Sequence, residues 1–108
     1  MRKISTKPYT VVVPGENGEK KTDEYDMKES LGICLLHPSL QLSGRELLLR
    51  GKILDKIEQA NGELILEEAE YSKLKASFEK VKGFSKNDME MVKRVFNAQE
   101  IEVKEAGK

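Results

Sequence analysis

Residues 43–62, SGRELLLRGKILDKIEQANG, constrain this chain's fold more than any other stretch. They read as one helix with a start signal, a broad apolar face and a stop signal. Ser43 is placed to cap the first turn, and Glu46, three residues on, completes a capping box. Leu49, Ile53 and Ile57 follow at steps of four, and Leu47 and Leu54 lie seven apart. Together they make one wide apolar stripe, with Leu48 towards its flank. Arg45, Lys52, Asp55, Lys56 and Glu58 fall on the opposite side. Asn61-Gly62 ends the helix, because glycine accepts the left-handed conformation of a C-terminal cap. Gly51 interrupts the pattern. A mid-helix glycine costs about 1 kcal/mol against alanine, and the expected reason is close contact with a neighbouring element rather than a hinge.

The flanking segments read as elements packed on this helix. Residues 1–8 are basic and weakly patterned, the profile of a mobile arm or the lead-in to a strand. Residues 9–13, YTVVV, alternate around β-branched side chains and predict a strand. Residues 14–18, PGENG, are dense in turn formers, and Asn17-Gly18 suits positive φ. Residues 19–25 return as a charged edge strand. Asp26 and Glu29 offer a second capping box, with Met27, Leu31, Cys34 and Leu35 on one helical face. His37-Pro38 stops that short helix. After Gly62, residues 63–66 read as a short strand. Residues 67–82 form a helix whose stripe is Tyr71, Leu74, Phe78 and Val81, with acids at its start and lysines at its end to suit the dipole. Ser85 and Asp88 open a last helix that carries Met89, Val92 and Phe96 inward, with Met91 and Val95 beside them. Residues 99–104 alternate, with Ile101 and Val103 on one side, and are expected to close a small sheet with the N-terminal strands.

These elements predict an α+β single domain over residues 1–108, of about four helices and a small, mostly antiparallel sheet, with residues 1–8 and 105–108 flexible. The predicted core gathers Leu47, Leu49, Ile53, Leu54, Ile57, Leu74, Phe78, Val92 and Phe96. The 19 basic and 19 acidic residues cancel, which disfavours non-specific nucleic-acid binding and acidic mimicry of DNA. No apolar run is long enough to cross a bilayer, and no hydrophobic signal core follows the first residues. The single Cys34 excludes an internal disulfide and fits a reducing compartment, most simply a cytoplasm.

Catalytic and metal chemistry find little footing. Cys34 and His37 are three apart, but a structural zinc site needs four ligands, which only a two-fold dimer of this pair would supply. No metal or cofactor is expected. Leu31, Leu35 and Leu36 surround the thiol with hydrocarbon, which raises its pKa and quiets it. The glycines of residues 15–18 lack the lysine and helix of a phosphate loop. No enzyme is expected.

Two binding readings remain. Residues 75–96 have the outline of a helix-turn-helix with the turn at Gly83, and Lys86, Asn87, Lys93 and Arg94 would be its DNA contacts. Against it, Glu79 stands where a tight crossing wants a small residue, and Asp88 and Glu90 would face phosphate. The other reading is self-association. Leu48 and Leu49 are about 100° apart on a helix, as are Met91 and Val92. One of each pair faces the core, so Leu48 and Met91 become an exposed interface patch, most simply of a homodimer. The competing cover for that patch is the N-terminal hairpin.

His37-Pro38 leading to residues 42–48 (LSGRELL), and residues 83–88 (GFSKND) leading to residues 92–95 (VKRV), resemble small proteins of tailed bacteriophages and prophages, over about residues 9–104. The resemblance implies a phage accessory or assembly context in a bacterial host cytoplasm, and transfers no functional residue. The favoured function is a non-catalytic, oligomeric protein–protein interaction module. Its partners would be itself or another phage or host protein.

Overall fold

Charged side chains dominate the first strand, yet its one large aliphatic is sealed. The computed structural model describes residues 1–101. β1 (Arg2–Ser5) is the centre of a three-stranded antiparallel sheet, between β4 (Glu63–Leu66) and β5 (Gln99–Glu100). Ile4 lies opposite Leu64, and both are buried with Leu66. Residues 2–5 are therefore structural and not a mobile arm, a correction a single apolar side chain gave little means of foreseeing. The strand expected over residues 99–104 is present at Gln99–Glu100. Its proposed continuation through Val103, and the flexible end at 105–108, lie outside the described residues.

β2 (Tyr9–Pro14) and β3 (Lys20–Tyr25) form a separate two-stranded antiparallel sheet, registered from Tyr9↔Tyr25 to Pro14↔Lys20. The turn uses Asn17 at φ 59° and Gly18 at φ 78°. Gly15 donates its amide to the Glu19 carbonyl at 2.5 Å, and a Cβ at that position would lie 2.8 Å from the same oxygen. Neither strand has a fully buried residue, so the molecule is long, 58 × 35 × 21 Å.

The helices start where their caps place them. Asp26 accepts the Glu29 amide at α1 (Met27–Leu35), and Ser43 accepts the Glu46 amide at α2 (Gly44–Gln59). Reciprocal capping boxes open α3 (Glu68–Lys80) and the 3-10 turn Lys86–Asp88 that leads into α4 (Met89–Phe96). The architecture is α+β, as predicted. α1 buries Met27, Leu31, Cys34 and Leu35, and α3 buries Tyr71, Leu74 and Phe78, with Val81 just beyond its end. α2 adds Ile53 and Ile57.

Two helix faces differ from expectation. On α2 the inward line is Glu46, Arg50, Ile53 and Ile57, at spacings of four, three and four. Leu47 and Leu49 are 48% and 42% exposed, not core, while Arg50 is 7% exposed. Arg50 is tolerated there because its Nε and Nη1 are both met by acceptors. Its Nη1 donates to the Leu35 carbonyl at 3.0 Å and to Ser77 Oγ, and its Nε donates to Glu46 at 3.1 Å. Lys73 Nζ reaches both oxygens of Glu46, at 2.9 and 3.1 Å. This network ties α2 to α1 and α3 and sets the rotation of α2. On α4 the buried line is Met91 and Val95, with Val92 and Phe96 partly buried and Met89 exposed. Tyr71 Oη donates to the Val95 carbonyl at 2.7 Å, holding that face inward.

Candidate interaction surface

The rotation of α2 leaves an apolar face uncovered. Leu48 is 76% exposed, and Leu47 and Leu49 flank it. Leu47, Gly51 and Leu54 recur at four and three residues, so they line one side of the helix. Across a shallow groove stands Ile33 of α1, 57% exposed. That groove has a volume of about 540 Å³, and Gly32, Ile33, Leu54 and Glu58 are among its walls. α1 and α2 approach closely at its floor, where a Cβ on Gly32 would come 3.0 Å from Leu54 Cδ1. Lys28 spans the end of the same helix pair, donating to the carbonyls of Glu58 and Ala60 at 2.7 and 3.0 Å. Gly51 does not mark a contact within the chain. A Cβ there meets no atom within 4 Å, which corrects the expected close approach.

Of the two residues predicted for an interface, Leu48 is exposed and Met91 is not. Met91 is 1% exposed, because it is one half of the inward line of α4. The hairpin, the alternative cover for the apolar flanks, packs against Met91 and leaves Leu48 open. The Tyr9 and Tyr25 rings stack at 4.6 Å. Tyr9 Oη donates to the Asn87 carbonyl at 2.8 Å and accepts from the Met91 amide at 3.3 Å. Tyr25 Oη donates to Asp88 at 2.5 Å. The hairpin base is thus latched to the start of α4.

The four residues predicted to touch DNA surround this latch. Lys86, Asn87 and Lys93 line a cleft of about 700 Å³ between β2 and α4. Asn87 Nδ2 donates to the Val12 carbonyl at 3.1 Å, which caps the free edge of β2. Arg94 lies over the Tyr9 ring, pairs with Glu90 at 2.8 Å and donates to the carbonyls of Ser5 and Lys7. Two of the four are therefore engaged in holding the hairpin, and the hairpin stands over the end of α4 that a recognition helix presents to a groove.

The titratable groups are engaged in packing. Burial pushes the Cys34 thiol up to about 11, with Asp88 adding to the effect. His37 Nδ1 accepts the Ser39 amide at 3.1 Å as the cap of a 3-10 turn, rather than meeting the thiol. Among the described residues no three metal-ligating side chains gather. Burial and the Asp88 hydrogen bond raise the Tyr25 hydroxyl. At Asp88 burial works upward, but hydrogen bonds from Tyr25 and Ser85 outweigh it and hold the carboxyl low. Lys73, then Arg50, hold Glu46 below the ordinary carboxylate range. No described helix is long and apolar enough to cross a membrane.

Comparison with protein-family models, curated proteins and solved structures finds no match for this chain.

Proposed function

We propose that this protein is a non-catalytic interaction or assembly module, of phage or prophage accessory type, that joins its partner through the outer face of α2 and the adjoining groove of α1. The observation that carries the reading is the exposure of Leu47 and Leu48 on the outer side of α2, with Leu54 and Ile33 facing each other across the adjoining groove. Apolar side chains gathered on a surface mark an interface. The phage context rests on the pattern resemblance alone. The non-catalytic part rests on the engagement of the reactive groups. Cys34 is buried and held protonated, Asp88 and Tyr25 satisfy each other, and Glu46 is taken by Lys73 and Arg50.

A photoreactive side chain at position 48 tests the reading. On irradiation in cells it should form a covalent adduct with a protein chain, of its own kind or another. The same probe at Lys21, on the exposed hairpin, serves as the control. Adducts no more frequent at 48 than at 21 would contradict the reading.

A further inference from the structure

We infer that the occupant of this face is a second copy of the same chain, laid antiparallel across α2 about a two-fold axis at Gly51. The inference rests on the interaction reading above and names its partner.

Gly51 is the starting point. A glycine inside a helix weakens it, and nothing within one chain accounts for this one, since the space a side chain would take is open. On the outer face of a helix, a missing side chain lets a second backbone come close. Leucines stand on both sides of that position. Leu48 lies three residues before Gly51 and Leu54 three after it, and at 3.6 residues per turn they flank it. In an antiparallel pair crossing at Gly51, residues equally far from the crossing on opposite sides come level. Leu48 of each copy then packs beside Leu54 of the other, with Ile33, across the groove from Leu54, extending the apolar strip.

The charges select this arrangement. Arg45 stands at the head of α2, and Asp55 and Glu58 at its tail. None of the three forms an ion pair among the described residues. Seven residues either side of the crossing, Gly44 meets Glu58 of the second copy. A Cβ on Gly44 also meets nothing, so there is room for that carboxylate against the first turn of the helix. There the dipole favours a negative charge, and Arg45 is its neighbour. A parallel pairing would set Arg45 beside Arg45 and Glu58 beside Glu58. The face therefore carries both halves of its own complement, which argues for a copy of this chain over a foreign helix.

Sedimentation equilibrium of the purified chain, from dilute to high micromolar concentration, tests the inference. The wild type should pass from monomer to dimer. Arg45→Glu and Glu58→Arg should each weaken the dimer roughly tenfold or more, about 1.4 kcal/mol. The double variant R45E/E58R should recover most of the loss, because the two-fold brings the exchanged charges together again. Residues 45 and 58 are thirteen apart on one helix and have no contact within a chain that would restore it. Gly51→Leu should abolish the dimer while the dilute monomer melts no lower than wild type. A wild type that stays monomeric, a dimer indifferent to the single reversals, or a double variant no better than either single would overturn the inference. A monomer that still forms adducts through position 48 overturns the second copy and leaves the interaction reading standing. Absence of adducts at position 48 removes both.

Discussion

At the scale of the residue, Arg50 decides more than any leucine beside it. Its guanidinium closes a path from the Leu35 carbonyl through Ser77 to Glu46 and Lys73. Truncation strands the buried Leu35 carbonyl and Ser77 Oγ, while Glu46 keeps Lys73, and hydrogen bonds to charged groups are the stronger kind. Arg50→Ala is expected to lower stability by about 2–3 kcal/mol, read from the urea midpoint. The same network sets an acid limit. Glu46 is held below its unfolded value of about 4.3, so its contribution is complete above that value and is lost as pH falls through the lower folded one. Melting temperature should therefore drop on acidification below the ordinary glutamate range, and Glu46→Gln should remove part of that drop. An unchanged acid profile in the variant would place the sensitivity elsewhere, with Asp88 the next group to examine.

At the scale of the element, N-caps and turns were legible, whereas helix ends and rotation about the helix axis were not: α2 and α3 stop at Ala60 and Val81, and Gly62 and Gly83 take positive φ two residues beyond. Asp26, Ser43, Glu67 and Ser85 each open an element where side chain and spacing say one should open. The stripes of α1 and α3 are those the periodicity predicts. α2 misleads because its inward positions in the first turns are Glu46 and Arg50, while three leucines sit outside them. The available signal was that these two charges, four apart, are in phase with Ile53 and Ile57. α4 misleads because two apolar lines, Met91–Val95 and Val92–Phe96, run side by side, and only the Tyr71 and Tyr9 hydroxyls bonded to its backbone distinguish them. Substitutions read the outcome directly. Ile53→Ala or Phe78→Ala should cost about 2–5 kcal/mol. Leu47→Ala, on the open face, should stay within about 1 kcal/mol of wild type. Equal losses at Leu47 and Ile53 would show that α2 is turned otherwise.

At the scale of the whole molecule, the α+β architecture was predictable. Burial of β1 was not, since one isoleucine among charged neighbours carries no period. The candidate surface was half legible, with Leu48 foreseen as exposed and Met91 misplaced. The hairpin's seat on α4 bears on the DNA alternative as well. With Arg94 and Asn87 holding that seat, tight DNA binding at moderate salt is not expected. A titration at two salt concentrations checks this, because phosphate contacts make affinity fall steeply with salt. Sequence-selective binding that survives moderate salt and weakens on changing Lys86 would favour the regulator.

The central claim is that the outer leucines of α2 serve association and not the fold. Leu48→Asp tests it in one pair of measurements, melting temperature in dilute solution and mass at high concentration. The account predicts a melting temperature close to wild type and a mass reduced from dimer to monomer. A large fall in melting temperature would make Leu48 a core residue. A mass that matches wild type at every concentration would leave the exposed face without a role, and either result would contradict the account.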